Sequence, residues 1–336
     1  MRVTVFGGGS WGTALAQLLA QSDEISEPVN LLVRDAEVAK NINSRHENTR
    51  YLPGQRLHKN IMAIAELEIL RESNIWVISV PVQNQRKALQ DVCQYLGQDT
   101  IIVNSSKGIE LNSLLPLSAV VQEALDDPPF FANRYAMLSG PSFAREVMEA
   151  KPTAVVLGCV NVELGAYLRK VFATAWFRSY SSLDVRGVEL GGAVKNVIAI
   201  AAGVSDGLNF GHNARAALIT RGLAEITRLG VAMGAQQATF MGLSGLGDLM
   251  LTCTGDLSRN RQVGLRLGQG QSQAEIVAGL GSVAEGVKTA DAVNQLAKKH
   301  GVEMPITASM DGLLRGTLNP MQAVKNLMSR SLKSEI

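Results

Sequence analysis

The chain predicts an α/β protein in which a doubly wound, mostly parallel sheet is followed by an all-helical C-terminal domain. Three observations carry this prediction. Short β-branched runs alternate with helical patterns through the first half, as stacked βαβ units require. The alternation stops near residue 187, after which only helical patterns continue. A glycine-rich turn, GGGSWGTA, stands directly after the first strand-like run. At 336 residues the chain exceeds what one hydrophobic core commonly fills, so two domains are expected, 1–187 and 188–336.

The expected strands are RVTVF at 2–6, VNLLVR at 29–34, NIMAI at 60–64, IWVISV at 75–80, TIIVNS at 100–105, YAMLSG at 135–140 and TAVVLG at 153–158. Between them, 10–21, 36–45 and 81–96 repeat apolar residues at three and four, the period of an amphipathic helix. In the second half, 189–208, 213–234, 282–300 and 321–332 read as helices, with no convincing strand among them.

Composition narrows the function. The chain is 46% hydrophobic and 18% charged, enough apolar surface to offset the entropy of folding. Net charge is +2 without a long basic run, so the footprint of a nucleic-acid binder is missing. Cys93, Cys159 and Cys253 are dispersed and form no CxxC pair, which speaks against a disulfide framework or a zinc site and for reduced thiols in the cytoplasm. His46, His58, His212 and His300 show no metal-ligand spacing, so no metal is expected. No secretory apolar segment opens the chain, and no uninterrupted apolar stretch of about 18 residues predicts a membrane span.

Gly7, Gly9 and Gly12 satisfy GxGxxG between a strand and a helix. In a Rossmann-like fold the first makes the tight turn, the second admits a pyrophosphate and the third lets helix and strand pack closely. The helix N-terminus then supplies amide donors to the phosphates. No GK[ST] ending follows, which excludes a triphosphate loop. At the end of the second strand Arg34 occupies a place where an acidic residue would grip a ribose hydroxyl, with Asp35 just after it. Arg34 suits the 2′-phosphate of NADP, so NADPH is favoured over NADH; a plain surface arginine is the alternative.

Further stretches ask for more than a structural reading. VNSSKGIE places Lys107 beyond a strand end, LSGPSFAREV places Gly140 and Ser142 beyond another, and ELGGAVKNVIAIAAG sets Lys195 and Asn196 in an apolar helix. With GLGDLMLTCTGDLSRNRQVG and SVAEGVKTA, these motifs resemble the NAD(P)-dependent glycerol-3-phosphate dehydrogenases of the bacterial type, in order and over essentially the whole chain. The resemblance implies that Ser10, Trp11, Arg34, Lys107, Ala144, Arg259, Val283 and Glu285 contact NAD or NADP. It implies that Lys107, Gly140, Ser142, Lys195, Asp248, Ser258, Arg259 and Asn260 bind dihydroxyacetone phosphate or sn-glycerol 3-phosphate, with Lys195 as proton donor and acceptor. It implies a homodimer whose product feeds glycerophospholipid synthesis.

The chemistry is consistent with those types. Ketone reduction by hydride leaves a developing alkoxide that needs a proton and a positive environment, and a buried lysine, its pKa lowered by desolvation, offers both. A lysine snorkelling at a helix surface is the alternative for Lys195, as a helix cap is for Asp248 and a solvated basic turn for Arg259. Thr252, one turn after Asp248, is a second candidate hydrogen-bonding group. Two other functions fit parts of the pattern: a β-hydroxyacid dehydrogenase of similar plan, and a non-catalytic redox sensor that binds NADP.

Overall fold

The computed structural model describes residues 1–126, 133–280 and 284–331. Eight strands form one sheet: β1 (Val3–Phe6), β2 (Val29–Leu32), β3 (Ile61–Ile64), β4 (Ile75–Ile78), β5 (Ile101–Asn104), β6 (Tyr135–Ser139), β7 (Thr153–Gly158) and β8 (Phe177–Ser182). Their spatial order is β3-β2-β1-β4-β5-β6-β7-β8, parallel throughout except for β6 against β7. Helices α1 (Ser10–Leu19), α2 (Ala36–Arg45), α3 (Val82–Gln90), α4 (Leu117–Leu125), α5 (Ala144–Met148) and α6 (Val162–Val171) intersperse the strands.

Strand alternation divides the sheet's side chains between two buried clusters. Val3, Val5 and Val77 belong to one, with Leu15 and Leu18 of α1; Phe6, Trp76 and Ile78 belong to the other, with Val121 of α4. A sheet buried on both faces in this way reads as continuous apolar runs, which is why these strands are so plain in the sequence. The expected strands at 2–6 through 153–158 all form; β8 is an addition. The sequence FRSYSS alternates buried and exposed positions at one edge of the sheet, so it carries too few apolar residues to stand out.

After β8 the chain is helical: α7 (Val185–Gly207), α8 (Gly211–Ala232), α9 (Asp248–Thr254), α10 (Arg259–Gly268), α11 (Gln273–Leu280), α12 (Glu285–Lys299), α13 (Pro305–Leu314) and α14 (Pro320–Met328). Two compact units result, Met1–Lys107 with Leu115–Glu189, and Gly108–Leu114 with Leu190–Ile336. The short excursion Gly108–Leu114 thus belongs with the helical unit, where Ile109 joins the core. That core is built around α7, whose Val194, Val197, Ile198, Ala199 and Ile200 are all buried. Among the described residues α7 alone is long and apolar enough to cross a membrane, but its apolar window is entirely buried inside the protein. A helix apolar on every face is here the centre of a helical core.

Candidate active site

In the first unit the strand order reverses at β1, which has β2 on one side and β4 on the other. Ligands of open α/β sheets bind at such a switch point, beyond the strand carboxyl ends. The glycine turn occupies it. Gly7 has φ +103°, and a Cβ there would lie 2.5 Å from the Ser79 carbonyl oxygen; a Cβ at Gly12 would lie 2.0 Å from the Gly7 carbonyl oxygen. Gly9 differs, because a Cβ there would meet nothing within 4 Å. Gly9 is also the N-cap of α1 and lends the helix no side-chain hydrogen bond. Open space at Gly9 before an uncapped helix fits a pyrophosphate.

The residues around the turn are fixed by partners distant in sequence. Asn48 is buried and donates from Nδ2 to the Gly8 carbonyl (2.8 Å) and to Thr13 Oγ1 (2.9 Å), tying the turn to the segment after α2. Ser10 donates to the Tyr51 carbonyl at 3.0 Å. Trp11 is half-buried, and its indole Nε1 is enclosed without a hydrogen-bond partner among the described residues. A donor in that position suits an acceptor-rich ligand, since burying it unpaired carries a cost. Beyond β2, Arg34 is exposed, while the Asp35 carboxylate accepts from the Glu37 amide at 2.9 Å and caps α2. The acidic group that follows β2 is therefore engaged as a cap.

On the same edge of the sheet, Lys107 and Ser142 meet at one acceptor. Lys107 Nζ and Ser142 Oγ each donate to the Gly140 carbonyl at 3.0 Å. Gly140 has φ +133°, and a Cβ there would press on the β7 backbone, 2.9 Å from Val155 Cα. Ala144 opens α5 just beyond.

In the second unit α7 carries Lys195, 6% exposed, so the reading of a lysine reaching to solvent does not hold. Its ammonium pairs with the Asp248 carboxylate and donates to Thr252 Oγ1 at 2.9 Å. Thr252 donates in turn to the Asp248 carbonyl at 2.6 Å. Asp248 is the first residue of α9 and 1% exposed; Gly247 takes the cap position, so the carboxylate serves the lysine and not the helix end. A one-turn π-helix, Leu243–Gly247, delivers it, and such turns recur where a side chain has to be re-aimed. Gly191 of α7 lets that turn in close, since a Cβ there would lie 2.5 Å from the Ser244 carbonyl oxygen. Beside the pair, burial pushes the Cys253 thiol up to about 12, so it stays protonated and inert as a nucleophile.

Ser258 caps α10 by accepting from the Arg261 amide at 3.2 Å, and Arg259 is exposed on the first turn. Asn260 joins three of the sequence motifs through one amide: its Nδ2 donates to Asn196 Oδ1 (3.0 Å), and its Oδ1 accepts from the Gly286 amide (3.0 Å). The neighbours of those residues are Lys195, Arg259 and Glu285. Glu285 opens α12 and is half-buried; Val283 lies outside the described residues. No group of three or more His, Cys, Asp or Glu able to hold a metal is found among the described residues.

Comparison with known proteins matches this arrangement to one family. Models of the NAD-dependent glycerol-3-phosphate dehydrogenase N-terminus and C-terminus match residues 2–165 and 184–325. The chain belongs to that family. It is 56% identical over 336 residues, the whole of both chains, to the glycerol-3-phosphate dehydrogenase [NAD(P)+] of Nitratidesulfovibrio vulgaris Hildenborough, and 55% identical over the same span to that of Oleidesulfovibrio alaskensis. A crystal structure of glycerol-3-phosphate dehydrogenase from Coxiella burnetii is 39% identical, covers 98% of this chain and 99% of its own, and superposes with a TM-score of 0.91.

Within the family arrangement, sequence reasoning passed over Asn48 and left Asn196 and Thr252 without a firm role. Asn48 carries no local signal, since its partners are 35 and 40 residues away. Asn196 was signalled by its neighbour: a polar KN pair inside a helix that is otherwise apolar all round.

Proposed function

We propose that this protein reduces dihydroxyacetone phosphate to sn-glycerol 3-phosphate, reversibly, with NADPH favoured over NADH. The observation that carries the reading is the buried Lys195–Asp248–Thr252 cluster, in a chain matched over its whole length by glycerol-3-phosphate dehydrogenases. When bound, the nicotinamide supplies a hydride to the ketone carbon. Everything else falls to the chain. The amides opening α1 would hold the cofactor's phosphates, and the family resemblance assigns Ser10, Trp11, Lys107, Ala144, Arg259, Val283 and Glu285 as its further contacts. Lys107, Gly140 and Ser142 address the substrate on the sheet unit, as Asp248, Ser258, Arg259 and Asn260 do on the helical unit. The Lys195 ammonium gives its proton to the carbonyl oxygen as charge develops there and takes it back in the reverse direction. Asp248 and Thr252 hold Nζ in one orientation for that transfer. No metal is required, because the ammonium itself stabilises the developing oxyanion. The family resemblance carries the accompanying reading of a cytoplasmic homodimer supplying glycerophospholipid synthesis.

Steady-state assays test the substrate: dihydroxyacetone phosphate with NADPH, against 3-hydroxyacids with NADP+. Turnover of the phosphate ketone is expected, and activity on the acids alone would overturn the reading. For the cofactor, Arg34→Ala is expected to raise the KM for NADPH about tenfold or more, the worth of a charge-assisted phosphate contact, and to leave NADH nearly unchanged. Equal losses for the two cofactors would remove Arg34 as the reader of the 2′-phosphate.

A further inference from the structure

Helices α7 and α10 touch backbone to backbone. A Cβ at Gly203 of α7 would lie 2.0 Å from the Arg261 carbonyl oxygen, and one at Gly207 would lie 2.3 Å from that of Leu265. From the other side, a Cβ at Gly264 of α10 would lie 1.9 Å from the Ile200 carbonyl oxygen, and one at Gly268 would lie 2.6 Å from that of Val204. So close a crossing sets the distance between the two helices. It also turns the face of α10 that carries Gly264 and Gly268 toward α7, since a Cβ on that face would clash, and leaves the side chains of the first turn to be held by polar contacts.

Two sets of polar contacts hold that first turn on α7: the Asn260–Asn196 amide pair and a buried ionic cluster. Asp206, near the end of α7, has a side chain only 7% exposed. Its Oδ2 accepts from Arg261 Nε (2.9 Å) and lies 2.8 Å from Arg261 Nη2, while its Oδ1 accepts from Arg215 Nε of α8 (2.8 Å). The other partner of Arg261, Asp256 at 2.8 Å, is 91% exposed and adds little, because water screens such pairs. Arg261 is the third residue of α10, and its amide is the one that donates to the cap hydroxyl of Ser258. Residues two apart on a helix point about 200° away from each other. With Arg261 held inward on Asp206, Arg259 is presented outward, and it is exposed.

We propose that Asp206 is a positioning residue for the phosphate end of the substrate: through Arg261 it holds the facing of Arg259 on the first turn of α10. The inference rests on the reading of 258–260 as the phosphate-binding segment. Asp206 touches no reacting atom; it controls the direction from which the phosphate is gripped on the helix pair that also carries Lys195. Binding energy from a remote phosphate raises turnover only when it is delivered in the correct geometry. Losing the pin therefore weakens recognition of the phosphate without touching the proton donor.

The test compares dihydroxyacetone phosphate with dihydroxyacetone, which lacks the phosphate, in Asp206→Asn. The ratio of kcat/KM for the two substrates is expected to fall about tenfold, mainly through KM for the phosphate ester, with the slow reaction of dihydroxyacetone kept within about twofold. A merely structural loss lowers both substrates together, and that result, or an unchanged ratio, overturns the proposal. Thermal unfolding and NADPH fluorescence establish that the variant is folded. Should it not fold, Arg261→Lys, which keeps the charge but loses the fork, is read in the same way. Arg259→Ala separates the two claims. If its ratio is unchanged, the phosphate reading of 258–260 fails; if its ratio falls while that of Asp206→Asn stays at the wild-type value, Asp206 alone is wrong.

Discussion

Three buried carboxylates, one in a sheet-based unit and two in a helical one, have been given different partners. Asp248 faces an ammonium, that of Lys195. Glu225 of α8 is hydrogen-bonded by neutral donors: it accepts from the amides of Ile306 (2.6 Å) and Thr307 (3.1 Å) and from Thr307 Oγ1 (3.1 Å), capping α13 from outside. Glu189, early in α7, accepts from the amide and hydroxyl of Ser118 (2.7 Å each) and from the Tyr135 hydroxyl (3.0 Å). Burial outweighs these bonds and the charges of Arg186 and Arg228, so both glutamates are pushed above the usual carboxylate range, Glu189 to about 7. The molecule uses these two glutamates as structural acceptors although burial makes their charge a cost, and gives Asp248 an ammonium partner at the place proposed for proton transfer.

Breaking the ion pair has the largest expected effect. Lys195→Ala removes the proposed proton donor, and kcat is expected to fall about a thousandfold, within the range that general acid catalysis contributes. NADPH binding, followed by fluorescence, is expected to persist, because the proposed phosphate contacts are elsewhere. The variant is also expected to unfold at lower temperature than wild type, since Asp248 is left buried without its countercharge. Unchanged turnover would reduce Lys195 to a core residue that happens to be paired.

Breaking a structural carboxylate has the opposite signature. Glu225→Ala leaves two backbone amides and a hydroxyl at the start of α13, whose own cap residue Met304 supplies no side-chain bond. A loss of about 2–3 kcal/mol in unfolding free energy by denaturant titration is expected, the cost of buried donors left unpaired. Turnover per folded molecule is expected to stay at the wild-type value. A fall in kcat comparable with that of Lys195→Ala would show that the division between structural and chemical carboxylates does not hold.

The same division explains which parts were legible in the sequence. The strands and the doubly wound fold class follow from apolar runs and from a glycine turn whose logic is contained in six residues, Gly7 to Gly12. Lys195 and Asp248 are 53 residues apart and were paired only by family resemblance, because no period or spacing links a helix centre to a distant helix start. The links between Asp206 and Arg261, 55 residues apart, and between Glu189 and Ser118, 71 apart, left no trace in local pattern. The helix at Pro305–Leu314 was missed for a related reason: the carboxylate that caps it is 81 residues upstream, on α8.

Glu189 permits the finest test, because its titration has a definite sign. Desolvation raises its folded-state value to about 7, against the favourable bonds from Ser118 and Tyr135 and the charge of Arg186 on the same helix. An unfolded glutamate titrates near 4.5. Between about pH 4.5 and 7 the native state therefore holds a proton that the unfolded chain has released, and this contribution to stability is lost as pH rises through that window. Its full size is on the order of 3 kcal/mol. Glu189→Gln keeps the shape, with an amide oxygen to accept from Ser118 and an amide hydrogen to donate to its hydroxyl, and carries no charge at any pH. The variant is expected to gain on wild type steadily as denaturant titrations move from pH 5 to pH 7.5. A difference independent of pH would mean that Glu189 is already ionised throughout, with its three donors doing for it what the ammonium does for Asp248.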